Sequence, residues 1–92
     1  MSNVRRLETT RIMNERSFTA RQGQYLAFIY HYEKINRRPP AEADIQRHFD
    51  VSAPSVHQMV LTLEAGGHIE RTPGQARSLR VLVQESKLPP LA

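Results

Sequence analysis

Apolar residues recur at the spacing of one helix face in three stretches of this 92-residue chain. The first stretch begins after Thr19, and Gln22 completes the spacing of a helix-capping box. This pattern predicts a first helix over residues 20–36. The residues that would form its buried face are Tyr25, Leu26, Phe28, Ile29 and Tyr32.

Two adjacent prolines separate this helix from a shorter one. Pro39 and Pro40 cannot continue a helix, because proline lacks a backbone N–H and holds the preceding residue in extended conformations. Residues 41–49 are then predicted to form a second helix. Its inward-facing side chains would be Ala43, Ile45 and Phe49.

A tight connection, residues 50–52, leads to the third predicted helix. The helix starts near Ser52 or Ala53, with Pro54 in the favourable first turn, and Gly66-Gly67 ends it. Val56, Met59, Val60 and Leu63 recur at helical spacing along its buried face.

After the glycines the apolar period changes from that of a helix to that of a strand. Residues 69–72 and 78–83 flank the turn signal Pro73-Gly74, and Leu79, Val81 and Val83 alternate with their neighbours. These segments predict a β-hairpin. We expect a flexible N-terminal arm over residues 1–17, one domain over residues 18–83, and a C-terminal tail over residues 84–92, either loose or docked.

Composition indicates a folded chain that is held together by packing alone. Hydrophobic residues make up 39% of the chain and charged residues 24%, which is typical of a globular domain. There is no cysteine, and the four histidines are scattered, so we expect no disulfide, no metal site and no cofactor. No apolar run approaches a membrane span of about 20 residues, and the N-terminus is too polar for a signal peptide, so a cytoplasmic protein is expected.

The second and third helices have the spacing of a DNA-binding helix-turn-helix, with Ile45, Phe49, Val51, Val56 and Met59 at its buried positions. With the hairpin as a wing, the predicted fold is α+β: a winged helix-turn-helix of three helices and a C-terminal two-stranded hairpin. The net charge of +4 also favours a nucleic-acid partner. We expect binding to double-stranded DNA by a homodimer, because one recognition helix reads only a few base pairs.

The outer face of the third helix supplies the candidate base contacts Ser55, His57, Gln58 and Thr62. Gln58 is the best of these, because its amide can both donate and accept at an adenine edge. Ser55 and Thr62 could contact base or phosphate, and His57 a phosphate or base. The alternative for each is an ordinary solvated helix face. Leu61 could contact a thymine methyl or lie at the margin of the core.

The hairpin tip supplies a second set of candidates, Gln75 and Arg77, on either side of Ala76. A basic side chain here can reach a phosphate or the minor groove, so we expect Arg77 to contact DNA. Its alternative role is that of an exposed solubilising residue. Arg71 and Arg80, on the strands, are weaker candidates for the same contact.

Residues 18–83 resemble the N-terminal DNA-binding domain of the LexA repressor family, a winged helix-turn-helix. The resemblance depends on Thr19-Ala20-Arg21-Gln22, Pro39-Pro40, Ser55-Val56-His57, Leu63-Glu64, Gly67 with Ile69-Glu70-Arg71, and Gly74 with Ala76-Arg77-Ser78. This chain differs in having Asp50 where such turns usually have glycine and Gln46 where a small residue is usual. The connection to the third helix is also one residue shorter.

The resemblance implies a DNA-binding module that acts as a transcriptional regulator. LexA also carries a self-cleaving domain with a Ser/Lys pair, whereas nine residues follow Val83 here, so we expect no self-cleavage. No catalytic set or glycine-rich phosphate loop is present in the sequence, and an enzyme is not expected. The main alternative is a winged helix that docks a protein partner through the third helix and does not bind DNA.

Overall fold

The computed structural model describes residues 17–92, which form three helices followed by a two-stranded antiparallel hairpin. Ile69 lies opposite Val81, and Glu70 lies opposite Arg80. The predicted α+β winged helix-turn-helix is therefore confirmed. The elements are α1 (Ala20–Asn36), α2 (Glu42–Phe49), α3 (Ala53–Ala65), β1 (Ile69–Glu70) and β2 (Arg80–Val81), and a 3-10 turn (Glu85–Lys87) follows.

The first helix begins and ends as its sequence predicts. The Gln22 N–H donates to Thr19 Oγ1 over 3.1 Å, and the Thr19 N–H donates to Gln22 Oε1 over 2.9 Å, so the capping box is reciprocal. At the other end Arg37 takes a left-handed conformation with φ 60° and donates its N–H to the Glu33 carbonyl over 2.7 Å. That conformation stops the helix two residues before the prolines.

One cluster of buried side chains joins all three helices and the hairpin. Each member is at most 5% exposed. The cluster contains Tyr25, Leu26, Ile29, Ile45, Val56, Val60, Leu63, Ile69 and Leu79.

The predicted inward face of α2 was wrong at Ala43, which is exposed. Successive helix residues are rotated by about 100°, so positions two apart lie on nearly opposite sides of a helix. Since Ile45 is completely buried, Ala43 must face away. Phe49, four residues after Ile45, is half-buried against the cluster.

The paired strands are shorter than the sequence pattern predicts, with two residues each. Ser78 forms hydrogen bonds across the loop instead: its hydroxyl accepts from the Thr72 N–H over 2.9 Å and lies 3.0 Å from the Gln75 carbonyl oxygen. Gly74 and Arg77 also have positive φ angles, 78° and 55°, which a β-ladder does not contain. Residues 72–78 are therefore a hydrogen-bonded loop, which we call the wing loop.

The C-terminal tail is docked, which decides between the two possibilities left by the sequence. Gln24 Nε2 donates to the Pro90 carbonyl over 3.0 Å, and the Ala92 N–H donates to Gln24 Oε1 over 2.8 Å. Leu88 packs against the core cluster.

The predicted N-terminal arm falls, except for its last residue, outside the described residues. Among residues 17–92, no helix combines the length and apolar composition needed to cross a bilayer.

An aspartate inside α2 performs the capping that its first residues cannot. Ala41, at the N-cap, has no side-chain acceptor, and Asp44 Oδ2 accepts the Ala41 N–H over 2.8 Å. This hydrogen bond lowers the pKa of the Asp44 carboxyl, and the nearby guanidinium groups of Arg77 and Arg47 lower it further. The ionised carboxyl of Asp44 therefore stabilises the start of α2.

The turn between α2 and α3 contains a non-glycine residue in a conformation that favours glycine. Asp50 has φ 54° and ψ 53°, and its N–H donates to the Gln46 carbonyl as the C-cap of α2. Two residues later Ser52 caps α3 by accepting the Ser55 N–H at Oγ over 3.3 Å. Asp50 thus makes a left-handed turn of the kind that glycine usually makes, at some conformational cost.

We predict that Asp50→Gly raises the free energy of unfolding by about 0.5 to 1 kcal/mol. The left-handed conformation costs an L-residue roughly 1–2 kcal/mol, and the greater freedom of glycine in the unfolded chain offsets part of that gain. Urea denaturation measures the difference. Asp50→Ala is the control, because it removes the same carboxylate and keeps the Cβ atom. Equal stabilisation by both variants would show that charge, and not backbone conformation, is responsible.

We predict that the stability difference between the parent and Asp44→Asn is present at pH 7 and shrinks at acid pH. The pKa of Asp44 is lower in the folded than in the unfolded chain, so its charge stabilises the fold above the ordinary aspartate pKa of about 4. The contribution is lost as the pH falls through the lower, folded pKa. Asparagine keeps an oxygen that can accept the Ala41 N–H, so the comparison isolates the charge. Urea denaturation at pH 7 and pH 3 tests this, and a difference independent of pH contradicts it.

Candidate nucleic-acid interface

One side of α3 is held in the core and the opposite side faces solvent. Val56, Val60 and Leu63 have no exposed surface. The four candidate base contacts predicted on α3 are all exposed: Ser55, His57, Gln58 and Thr62. Leu61 lies between the two sides and is half-buried. The structure therefore presents a rigidly mounted polar helix face of the kind that a major groove can accept.

The polar groups on this face differ in how far they are already engaged. Ser52 Oγ donates to Ser55 Oγ over 2.9 Å, which ties both hydroxyls to the N-cap of α3. Thr62 Oγ1 donates to the Gln58 carbonyl over 2.9 Å. For the Gln58 side-chain amide we find no hydrogen-bond partner among residues 17–92. Gln58 therefore has the amide that is most available to a base edge.

His57 connects α3 to the start of α2. Its Nδ1 lies 3.2 and 3.3 Å from the two carboxylate oxygens of Glu42. A carboxylate can only accept, so Nδ1 carries the proton in this contact and Nε2 is left for another partner. Both side chains are more than one-third exposed: 53% of the His57 side chain and 40% of the Glu42 side chain is accessible to solvent. It orients the imidazole more than it stabilises the fold.

The two wing candidates lie in different environments. Gln75 is exposed, and its backbone N–H closes a turn by donating to the Thr72 carbonyl over 3.1 Å. Arg77 points back towards the helices: its Nη1 lies 3.1 Å from Asp44 Oδ2 and donates to the Pro39 carbonyl over 3.3 Å and to Tyr32 Oη over 3.4 Å. The hydrogen bond to Tyr32 and the charge of Asp44 raise the pKa of the guanidinium.

The other arginines of the hairpin are paired with glutamates. Arg71 Nε donates to Glu64 Oε1 over 3.0 Å, and Arg80 Nη1 donates to Glu70 Oε1 over 3.3 Å. Such pairs on the surface add little to stability, but they neutralise the cations that sequence reasoning offered as secondary DNA contacts.

Two cations that sequence reasoning did not single out are exposed beside the helix-turn-helix. Arg37 and Arg38 lie between α1 and α2, next to the Pro39 carbonyl that Arg77 contacts. Within the described residues we find no ion pair for either. Their exposure could have been predicted from the sequence, because two consecutive arginines before a proline pair are expected to lie in a turn and not in a core.

A cleft separates the wing loop from the start of α2. It has a volume of about 230 Å³ and is lined by residues 40–42 on one side and residues 75–79 on the other, with Arg71.

The described part of the chain contains no cluster of three or more histidine, cysteine or acidic side chains that could hold a metal ion.

A family model and individual relatives both relate this chain to the LexA repressors. Residues 15–78 match the family model of the LexA DNA binding domain. The LexA repressor of Thermosipho melanesiensis is 35% identical over 77 residues, which is 83% of this chain and 39% of that protein. The LexA repressor of Thermosipho africanus is 36% identical over 67 residues, 73% of this chain and 34% of that protein. This chain thus spans little more than a third of the length of these relatives. It belongs to the LexA DNA-binding domain family.

Proposed function

We propose that this chain is a sequence-specific double-stranded DNA-binding protein that acts as a transcriptional repressor and not as an enzyme. The observation that carries the proposal is the exposed polar face of α3, whose opposite side is fixed by three completely buried residues. A recognition helix needs this rigidity, because base contacts depend on side chains being held in a defined register with the groove. The relatives that bear the name LexA repressor support the regulatory role.

In this proposal α3 enters the major groove and its side chains have separate tasks. Gln58 reads a base edge, since its amide is exposed and has both a donor and an acceptor. The Ser55 hydroxyl, which accepts from Ser52, can still donate to a phosphate or base, and the Thr62 hydroxyl, which donates to the Gln58 carbonyl, can still accept from a base donor. His57 presents Nε2 to the DNA while Glu42 holds Nδ1.

Phosphate contacts come from the residues around the helix-turn-helix and the wing. Arg37 and Arg38 are exposed and have no acidic partner among residues 17–92, and Gln75 extends from the wing loop. Contacts of this kind set affinity and orientation without reading sequence, and those made by the two arginines contribute to the salt dependence of binding.

We predict that Gln58→Ala reduces preference for the specific site by about 1 to 3 kcal/mol and leaves affinity for random duplex nearly unchanged, because it removes a base contact and no charge. The specific site is first obtained by selection from a random duplex pool. Fluorescence anisotropy then compares selected and random duplexes. Gln84→Ala, which removes an exposed glutamine outside α3, is the matched control.

A parent protein that binds neither duplex, or binds without salt dependence, would overturn the DNA-binding proposal. The face of α3 would then be assigned to a protein partner. Equal loss of affinity for both duplexes in Gln58→Ala would instead place Gln58 on the DNA backbone.

We predict that two copies of the chain bind one selected site. A single recognition helix covers few base pairs, and paired half-sites about one helical turn apart, or a multiple of it, give the needed affinity. Light scattering of the complex at saturating protein measures the stoichiometry, and the selected sequences should be palindromic. A one-to-one complex on a selected site without symmetry contradicts the homodimer.

A further inference from the structure

The wing is a short hairpin whose loop makes no backbone hydrogen bond to the helices among residues 17–92. Its strands pair over two residues each, and the wing loop of residues 72–78 extends beyond them. Hydrogen bonds of Ser78 hold the loop to itself, but they do not hold it to the helices. A protein that contacts DNA through such a loop needs another device to fix the position of the loop relative to α3.

Arg77 connects the wing loop to three other parts of the domain. Its Nη1 is within hydrogen-bonding distance of Tyr32 Oη on α1, the Pro39 carbonyl before α2, and Asp44 Oδ2 on α2. The side chain is 33% exposed although it comes from a surface loop. Its backbone has φ 55°, which L-residues disfavour, so the surrounding contacts hold it there.

Asp44 is suited to holding this guanidinium. Its side chain is only 10% exposed, and the same Oδ2 atom accepts from the Ala41 N–H and from Arg77. Oδ1 pairs with Arg47 of the same helix. Because this carboxylate also caps α2, it cannot move with the loop. Its contact with Arg77 therefore fixes the position of the wing loop relative to the helix-turn-helix.

We propose that Asp44 and Arg77 form a latch that fixes the wing loop against α2 and so orients Gln75 towards DNA, which makes Asp44 a positioning residue for DNA binding. This inference rests on the proposed function. In it Arg77 acts inside the protein and not as a phosphate contact, since its Nη1 group is directed at Tyr32, Pro39 and Asp44.

The two roles for Arg77 predict opposite effects of removing the Asp44 charge. If Asp44 latches the wing, Asp44→Asn loosens the loop and weakens DNA binding. If Arg77 binds a phosphate, Asp44 competes with that phosphate, and Asp44→Asn must tighten binding and steepen its salt dependence by about one unit of slope per subunit.

The test measures the affinity of Asp44→Asn for the selected duplex across a salt series. We expect about tenfold weaker binding than the parent, the effect of losing one coupled interaction, with an unchanged salt slope. Asp50→Asn is the matched control, because it removes one carboxylate from the helix-turn-helix without touching Arg77. Arg77→Gln should weaken binding to the same extent, and the double variant should be no worse than either single variant.

Binding that is tighter than that of the parent with a steeper slope, or binding equal to that of Asp50→Asn, overturns the latch. Should Asp44→Asn fail to fold, as judged by circular dichroism, Arg77→Lys is used, because it keeps the charge but replaces the guanidinium with an ammonium on a shorter side chain. The latch predicts weaker binding by this variant at unchanged slope, whereas a phosphate contact predicts nearly parental binding.

Hydrogen exchange of the free protein separates failure of the latch from failure of the proposed function. The latch predicts faster exchange of the wing-loop amides in Asp44→Asn than in Asp50→Asn, with no DNA present. Unchanged exchange in the wing loop overturns the latch even if the protein binds DNA. Faster exchange in Asp44→Asn, together with a parent protein that binds no duplex, would overturn the DNA-binding function and its consequence for Gln75, but not the structural connection.

Discussion

The position of α3 depends on the burial of Ile45 together with Val56 and Val60. All three side chains have no exposed surface, and they share one cluster with residues of α1 and the hairpin. Interiors packed to this extent do not permit small displacements without opening voids, so a helix bound through them behaves as a rigid body with its neighbours. Everything that we propose for the outer face of α3 requires that rigidity, because groove contacts depend on its orientation.

Polar contacts then refine an arrangement that the core has already set. Glu42 meets His57 across the α2–α3 interface, and Asp44 meets Arg77 across the space between α2 and the wing. Both acidic residues lie in the first turn of α2, where the helix dipole also favours negative charge. One short helix thus orients a side chain on the recognition helix and a side chain on the wing.

The distribution of charge matters more for this domain than its total. The chain has a net charge of +4, yet Arg71, Arg80 and Arg77 all lie against carboxylates. Arg37 and Arg38, which are exposed beside the helix-turn-helix, are not among the arginines paired with carboxylates. We therefore propose that the turn before α2 is a stronger source of phosphate contacts than the wing.

The sequence by itself determined the three helices, the capping box of α1 and the four exposed candidates of α3, because helical periodicity and capping are local properties of neighbouring residues. It also placed Asp50 in the turn between α2 and α3. Only the tertiary structure decided how far the strands pair, that the tail docks on Gln24, and that Arg77 turns inwards. Arg77 and its partner Tyr32 are 45 positions apart, and no periodic pattern relates residues at that separation. Their meeting depends on how the packed helices bring distant segments together, which local sequence cannot specify.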